Sequence, residues 1–191
     1  MLALFNPPTE LQISEYDENM TERQKFTVLR DYGAFELRNY EACVIAEVQV
    51  SSDYASATSN AFQPLFRYIS KGNERAQGIS MTAPVISESL TGVNSNQWKV
   101  AFVMPAGSTI GDMPNPNDTR VELRPVSEEK CVALSFRGRA TLNTCGKKIA
   151  ELRAAAANVE ISLSSETRIC RFDPPFKPGF MHYNEIVIPV A

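Results

Sequence analysis

Residues able to carry nucleophilic or metal chemistry are few in this chain and lie far apart. His182 is the single histidine, so any Cys-His or Ser-His pair would have to use it. The four cysteines, Cys43, Cys131, Cys145 and Cys170, form no C-x-x-C pair and lack the ligand spacing of a protein-only zinc site. Glycine-rich phosphate loops are also absent from the sequence. The sequence therefore gives no support to a catalytic site, and we predict a structural role for each cysteine.

Ligand binding has a better candidate on the first predicted helix. At about 100° per residue, Phe62 and Phe66 lie at one margin of the apolar stripe, and Arg67 lies just beyond that margin. An aromatic ledge bordered by a cation suits a flat, amphipathic ligand that carries a carboxylate. In the alternative interpretation, the two phenylalanines lie in the core and Arg67 is a solvated surface residue.

A second candidate is the stretch D173-P-P-F-K-P-G-F-M-H-Y-N-E185. Its three prolines and one glycine predict a stiff loop, and rigid loops with apolar side chains often form one wall of a binding site. We expect this loop to expose Phe176, Lys177, Phe180, Met181 and His182. His182 could ligate a metal, or it could be an ordinary exposed loop histidine.

Composition limits the class of protein and its partners. A chain of 191 residues with 43% hydrophobic residues is typical of one soluble domain. A net charge of −3 argues against nucleic acid as the main partner. The first apolar run stops at Asn6-Pro7-Pro8, which is too short for a signal peptide or a membrane span. Since four dispersed cysteines indicate reduced thiols, we predict a soluble protein of the cytoplasm or an organelle that is not secreted.

The elements that would position these candidates follow from hydrophobic periodicity. Residues 1–24 read as a polar N-terminal arm, and residues 25–191 as a single domain. Two strand fragments flank a turn at Asp31-Tyr32-Gly33, and A42–V50 predicts a longer strand. The pattern then predicts a helix from residues 51–53 to about Ser70 and a second helix over 142–157, where Leu142, Cys145, Ile149, Leu152 and Ala156 share one face.

The second half of the chain repeats the first at a nearly constant offset. E36-L-R38 recurs as E122-L-R124, and C43-V-I-A46 recurs as C131-V-A-L134. The two predicted helices and the strands that follow them are offset similarly, so the repeats cover about 25–105 and 119–191. The sequence therefore predicts an α+β fold in which two pseudo-symmetric βαββ-like repeats form a distorted eight-stranded antiparallel barrel flanked by two helices.

The stretch M81-T-A-P-V85 lies in the strand that returns from the first helix. Pro84 cannot donate to a sheet, so we expect a strand edge or a break at this position. Met81 is a flexible apolar side chain, and we expect it to lie in the core.

Several of these segments together resemble the SOUL haem-binding protein family. They are R67-Y-I-S-K-G-N73, I79-S-M-T-A-P-V85, D173-P-P-F-K-P-G-F180 followed by N184-E-I, and the pattern Y-x-x-x-E-L-R-x-Y from Tyr32 to Tyr40. They extend over nearly the whole chain, from about Lys25 to Ala191. The resemblance implies a two-repeat barrel with two flanking helices, in agreement with the internal repeat.

The resemblance also implies reversible binding of haem or another tetrapyrrole in a hydrophobic surface cleft between the first helix and the 173–183 loop. The residues that match the family's site are Phe62, Phe66, Arg67, Lys177 and Phe180, with the two basic residues facing the propionates. Ser59 stands where some members carry a further basic residue, and Cys43 lies near the position of an axial histidine in others. His182 occupies a place where members often carry arginine, and it is the first candidate for an axial ligand if haem iron is ligated by the protein.

We accordingly predict a haem carrier, buffer or sensor rather than an enzyme. Two alternatives stay open: an enzyme that acts on a small hydrophobic substrate in the same groove, and a protein-interaction module. The sequence leaves oligomerisation open.

Overall fold

The computed structural model describes residues 21–90, 96–174 and 176–191, which form two helices and eleven strands. The first repeat contains β3 (Glu36–Tyr40), β4 (Cys43–Ser51), α1 (Tyr54–Ile69), β6 (Val85–Ser89) and β7 (Gln97–Val103). The second contains β8 (Glu122–Val126), β9 (Glu129–Arg137), α2 (Leu142–Asn158), β10 (Arg168–Arg171) and β11 (Tyr183–Pro189). Three strands have no counterpart in the second repeat: β1 (Glu22–Arg23), β2 (Phe26–Asp31) and β5 (Thr82–Ala83). Neither described helix is long and apolar enough to span a bilayer.

Nine strands form one antiparallel sheet whose order reveals the internal repeat. The order is β2-β3-β9-β11-β10-β6-β7-β4-β8. From β3 to β8, each strand lies at the mirror position of its counterpart in the other repeat. The counterparts are β3 and β8, β9 and β4, β11 and β7, and β10 and β6. Strands β6 and β10 pair at the centre of this pseudo-twofold arrangement. The predicted α+β class and its repeats are confirmed, and β2 adds a ninth strand to the curled half-barrel.

Both helices begin and end close to the predicted residues, because local capping agrees with the amphipathic pattern. Asp53 caps α1 by accepting a hydrogen bond from the Ser56 amide, and Thr141 caps α2 in the same way through Thr144. Of the predicted N-terminal arm, residues 1–20 lie outside the described part of the chain. Residues Glu22–Arg23 of that arm pair in parallel with β5.

The two helices cover one face of the sheet and bury the apolar side chains that alternate along the strands. Helix α1 packs on β4 and β7, and α2 packs on β9 and β11. The α2 residues Cys145, Ile149, Leu152 and Ala156 are buried, as predicted from their spacing. We call this surface the helix face.

The opposite face, which we call the helix-free face, carries paired charges among its apolar side chains. Arg38 on β3 meets Glu185 on β11 at 2.9 Å, and Arg168 on β10 meets Glu129 on β9 at 2.5 Å. Glu47 on β4 lies 3.3 Å from Arg124, the counterpart of Arg38 in the second repeat. Since each of these three arginines contacts a carboxylate, their charges are compensated by pairing.

The stretch around Met81 differs from its prediction in one respect. As expected, Pro84 interrupts the strand, and a cis peptide between Ala83 and Pro84 separates β5 from β6. Thr82 is buried and its hydroxyl donates a 2.6 Å hydrogen bond to the Val103 carbonyl. Met81 is 40% exposed, so its predicted core position is wrong. It precedes the two-residue strand β5, in which both residues are buried.

Candidate functional site

The aromatic ledge predicted on α1 is present. The rings of Phe62 and Phe66 are stacked, with centroids 5.6 Å apart and an interplanar angle of 12°. Phe62 also meets the ring of Phe102 on β7 edge-on at 5.6 Å, which anchors it to the sheet. Phe66 makes the outer layer and is 46% exposed. The ledge therefore has a fixed inner ring and an outer ring that a ligand can reach.

Arg67 follows the ledge and is exposed, as predicted. Within the described ranges its guanidinium forms no ion pair, and it lies in the last turn of α1. Its donors are therefore available to an anionic group next to Phe66.

The second half of α1 points toward the end of the sheet from which residues 172–182 leave. Tyr54 packs on Trp98 near the start of β7, and Phe62 packs on Phe102 near its end. In the antiparallel register, the end of β7 lies beside the start of β6 and the end of β10. The β10–β11 loop (residues 172–182) thus emerges at the same end of the sheet as Phe66.

A row of helix-face residues spans the floor between α1 and this loop. The register places Phe102, Val85, Arg171 and Asn184 side by side on β7, β6, β10 and β11. Arg171 donates a hydrogen bond to the Thr58 hydroxyl, and its guanidinium lies 4.8 Å from the ring centroid of Tyr54. This contact joins the base of the loop to the helix one turn before Phe62.

Arg171 is a candidate residue that sequence reasoning missed. Its one sequence signal was its place two residues before D173-P-P-F, at the end of a predicted strand. Side chains alternate between the two faces of a sheet, but the sequence alone does not show which face the last residue of a strand occupies. The pairing with neighbouring strands is needed to decide this. The pairing assigns Arg171 to the helix face.

The β10–β11 loop presents large apolar side chains to solvent, as predicted. Phe176 is 88% exposed, Phe180 is 78% exposed and Met181 is 44% exposed. Phe180 and Met181 lie in a 3-10 turn, Gly179–Met181. Large exposed apolar side chains at a loop tip are typical of a binding wall.

Lys177 and His182 are half-buried, so the predicted exposure of these two side chains is wrong. The cause is hydrogen bonding within the loop, which a linear motif does not reveal. Lys177 Nζ donates to Asp173 Oδ1 at 2.6 Å, and the His182 Nε2 atom lies 2.8 Å from the Lys177 carbonyl oxygen. The charge of Lys177 is therefore already matched by Asp173.

The tautomer of His182 follows from that contact. A carbonyl oxygen only accepts hydrogen bonds, so Nε2 must carry the proton that it donates to Lys177. In the neutral ring the lone pair is then on Nδ1. If His182 is an axial ligand, it must use Nδ1 or break its bond to the loop, and its predicted role as iron ligand stays a prediction.

Asp173 is the anchor of the loop and gives it a pH dependence. Burial opposes ionisation, but the hydrogen bonds from Lys177 and from the Tyr183 amide outweigh it and lower the pKa of Asp173. A folded-state pKa below the unfolded value stabilises the loop at higher pH, and this contribution is lost as pH falls through the folded pKa.

We therefore expect the Tyr183 amide to report the titration of Asp173. The amide donates to Asp173 Oδ2 at 2.5 Å, so its proton chemical shift should titrate with a midpoint below the ordinary aspartate value of 3.8. The measurement is a pH series of ¹H–¹⁵N spectra, with Asp173→Ala as the control that removes the titration. A midpoint at or above the ordinary value would contradict the anchoring role.

The cysteine thiols are not activated as nucleophiles. Burial raises the pKa of Cys131 to about 12, and it also raises the pKa of Cys43, Cys145 and Cys170. All four are free thiols, and three of them are fully buried in the core. This agrees with the structural role predicted for each of them.

Comparison with known proteins identifies the family. The model of the SOUL heme-binding protein family matches residues 21–189. The curated "Heme-binding protein 1" of Xenopus laevis is 28% identical over an alignment of 154 residues that covers 78% of this chain and 80% of that protein. The segment that the family model matches, residues 21–189, includes α1 and the β10–β11 loop.

Solved structures share the fold at low identity. The C-terminal domain of EcmrR superposes with a TM-score of 0.65 at 13% identity, covering 82% of this chain and 96% of that one. A hydrolase from Listeria innocua superposes with a TM-score of 0.57 at 14% identity, covering 82% and 91%. At these identities the likeness establishes the architecture alone.

Proposed function

This chain belongs to the SOUL heme-binding protein family, and from that premise we propose that it binds haem or a related tetrapyrrole reversibly on the helix face. The proposed site is the cleft between α1 and the β10–β11 loop. The single observation that carries this location is the stacked pair Phe62 and Phe66, whose outer ring is 46% exposed beside a loop with exposed apolar tips.

Apolar contact would supply most of the affinity. Covering roughly 300 Å² of porphyrin and protein surface at about 25 cal/mol per Å² contributes on the order of 7 kcal/mol. Association costs about 4 kcal/mol or more, so the net affinity is moderate. A moderate affinity favours a carrier, buffer or sensor over an enzyme that keeps its cofactor permanently.

Two arginines are better propionate partners than the lysine that the family resemblance suggested. Arg67 is exposed and unpaired within the described residues, and Arg171 lies in the cleft floor with a hydroxyl as its described hydrogen-bond partner. Lys177 would first have to leave Asp173. Each exposed charge pair would add at most about 1 kcal/mol, and this part of the affinity should fall with salt.

A hemin titration followed by visible absorption tests the proposal. We expect a shifted, saturable Soret band at micromolar hemin, reversed when apomyoglobin is added as a competing acceptor. The reversal distinguishes a carrier or buffer from a protein with a permanently bound cofactor. A spectrum that equals the sum of free hemin and protein at every ratio would rule out haem binding.

Replacing His182 with alanine tests its role as ligand. If the ring coordinates iron, the Soret maximum of the complex should move, because the axial ligand sets the electronic structure of the haem. A disturbed loop alone would weaken binding and leave the maximum in place. Lys177→Ala is therefore the matched control, because it removes the Lys177–Asp173 ion pair of the same loop and leaves the histidine intact. An unchanged Soret maximum in His182→Ala would exclude axial ligation by this residue.

A further inference from the structure

A second cavity lies on the helix-free face, away from the proposed haem cleft. It has a volume of about 130 Å³ and is lined by side chains of β1, β2, β3, β6, β10 and β11, together with Phe172. Phe26, Tyr40, Phe172 and Tyr183 give it an aromatic wall, and Ile86 and Val187 an apolar one. Because the sheet separates it from α1, its ligand need not be the ligand of the cleft.

The floor of this cavity is a closed ion pair. The two oxygens of Glu185 accept from Arg38 Nη1 and Nη2 at 2.9 and 3.0 Å, and the Tyr183 hydroxyl donates to the same carboxylate at 2.6 Å. Arg38 Nε donates to Glu36 at 2.6 Å. Both members of the pair are at most 5% exposed. The floor therefore offers a ligand no unpaired carboxylate and no unpaired guanidinium.

The rim of the cavity carries the cation that is not compensated. The Arg23 guanidinium carbon lies 5.1 Å from the ring centroid of Phe172 and 5.6 Å from that of Tyr183. Across the described part of the chain, no carboxylate lies within ion-pair distance of it. Arg168, the cation on the opposite wall, is bonded to both oxygens of Glu129. Arg23 thus holds its planar group against two rings, with its donors directed to no acceptor among the described residues.

These features select a ligand by charge and size. A lipophilic cation would meet Arg23 at the rim and find no unpaired carboxylate at the floor. A small anion without an apolar part would leave the aromatic wall in contact with water. An aromatic ring with one carboxylate suits both the aromatic wall and the cation. The ring fills the apolar space, and the carboxylate accepts two hydrogen bonds from a guanidinium. The volume is close to the roughly 150 Å³ of an engineered cavity that binds benzene.

We propose that the cavity on the helix-free face is a binding site for a small aromatic monocarboxylate, held by Arg23 at the rim and by the rings of Phe172 and Tyr183. This proposal does not rest on haem binding. The two sites do share a structural element, because Phe172 and Tyr183 are the residues at the base of the β10–β11 loop. The Phe172 amide donates to the Tyr183 carbonyl at 3.3 Å, and their rings meet edge-on at 5.2 Å.

The test is a titration of the full chain with three ligands of one ring size and different charge: benzoate, benzamide and benzylamine. We expect saturable ¹H–¹⁵N shift changes with benzoate at the amides of Phe172, Tyr183 and Val187, weaker binding of benzamide and none of benzylamine. Arg23→Gln should weaken benzoate about fivefold, the size of an exposed charge contact, and leave benzamide unchanged.

Arg67→Gln is the matched control, because it removes an exposed arginine from the other face of the sheet and should leave benzoate affinity unchanged. Three results would overturn the proposal: no shift with benzoate, equal binding of benzoate and benzylamine, or equal loss in Arg23→Gln and Arg67→Gln. Hemin titrations of the same two variants separate the sites. Arg23→Gln should retain the wild-type hemin affinity, whether or not its affinity for benzoate changes.

Discussion

Replacing Phe66 with aspartate is expected to weaken hemin binding at least about tenfold while leaving the fold intact. The ring is 46% exposed, so its removal takes little apolar surface out of the core. In the complex the variant would lose the burial of a phenylalanine, which contributes about 1.5 kcal/mol or more, equivalent to at least about a tenfold change in Kd. The new carboxylate would also repel the propionates. The measurement is the hemin Kd, with circular dichroism and thermal unfolding to report the fold.

Val28→Asp is the matched control for this variant. Val28 is 45% exposed on β2, an edge strand at the far end of the sheet order from β4 and β7, on which α1 packs. The Val28→Asp variant should retain hemin affinity, although it places the same negative charge at a similarly exposed apolar position. If Phe66→Asp unfolded the protein, Phe66 would be a core residue; if it kept the affinity, the ledge would not be the site.

Replacing Glu185 with glutamine should produce the largest loss of stability among these variants. Arg38 would remain buried with a weaker partner at the floor, and the cost of breaking a buried ion pair is about 3 kcal/mol or more. Since Glu36 still bonds Arg38 Nε, we expect the lower end of that range. For a chain of this size the loss corresponds to a Tm decrease of roughly 6–12 °C. Burial lowers the pKa of Arg38, and the hydrogen bond to Glu185 that opposes this effect is weakened in the variant. The arginine nevertheless cannot escape the cost by deprotonation, because a guanidinium stays protonated in proteins.

Two further variants test whether the loss of stability in Glu185→Gln comes from leaving a buried charge without its partner or only from losing one contact. Glu151→Gln removes the carboxylate of the exposed Lys148–Glu151 pair and should change the free energy of unfolding by less than about 0.5 kcal/mol. The double variant Arg38→Met with Glu185→Leu should be more stable than Glu185→Gln, because it leaves no buried charge without a partner. Glu36 also loses Arg38 in this variant, but its side chain is partly exposed to water. A Glu185→Gln protein as stable as wild type would show that the pair is not closed in solution.

The architecture was predictable from the sequence because two independent patterns agree. The amphipathic spacing of α2 gave the buried face at Cys145, Ile149 and Leu152, and the caps at Asp53 and Thr141 set where the helices begin. The recurrence of E36-L-R38 as E122-L-R124 predicted the repeat that the strand order now displays. Both patterns are local or periodic, so they need no knowledge of tertiary contacts.

The residues that were missed are defined by contacts between distant parts of the chain. Arg38 and Glu185 are 147 positions apart, and Arg171 meets Thr58 across 113. The repeated E-L-R motif drew attention to Arg38 and showed that Glu36 and Arg38 share one face of a strand, because alternate residues do so. It did not show that Arg38 pairs with Glu185. Burial of Lys177 and His182 depends on how Asp173 folds the loop onto itself, which the prolines alone do not specify.

The most direct test of the haem cleft is paramagnetic broadening of ¹H–¹⁵N spectra by hemin. Hemin iron should broaden the amides of Phe62, Phe66, Arg67 and residues 176–181, and it should leave the amides of Tyr40 and Val187 on the helix-free side sharp. Binding at the cleft predicts this pattern because the sheet lies between the two faces. Broadening centred on Tyr40 and Val187, or no selective broadening at saturating hemin, would contradict the account.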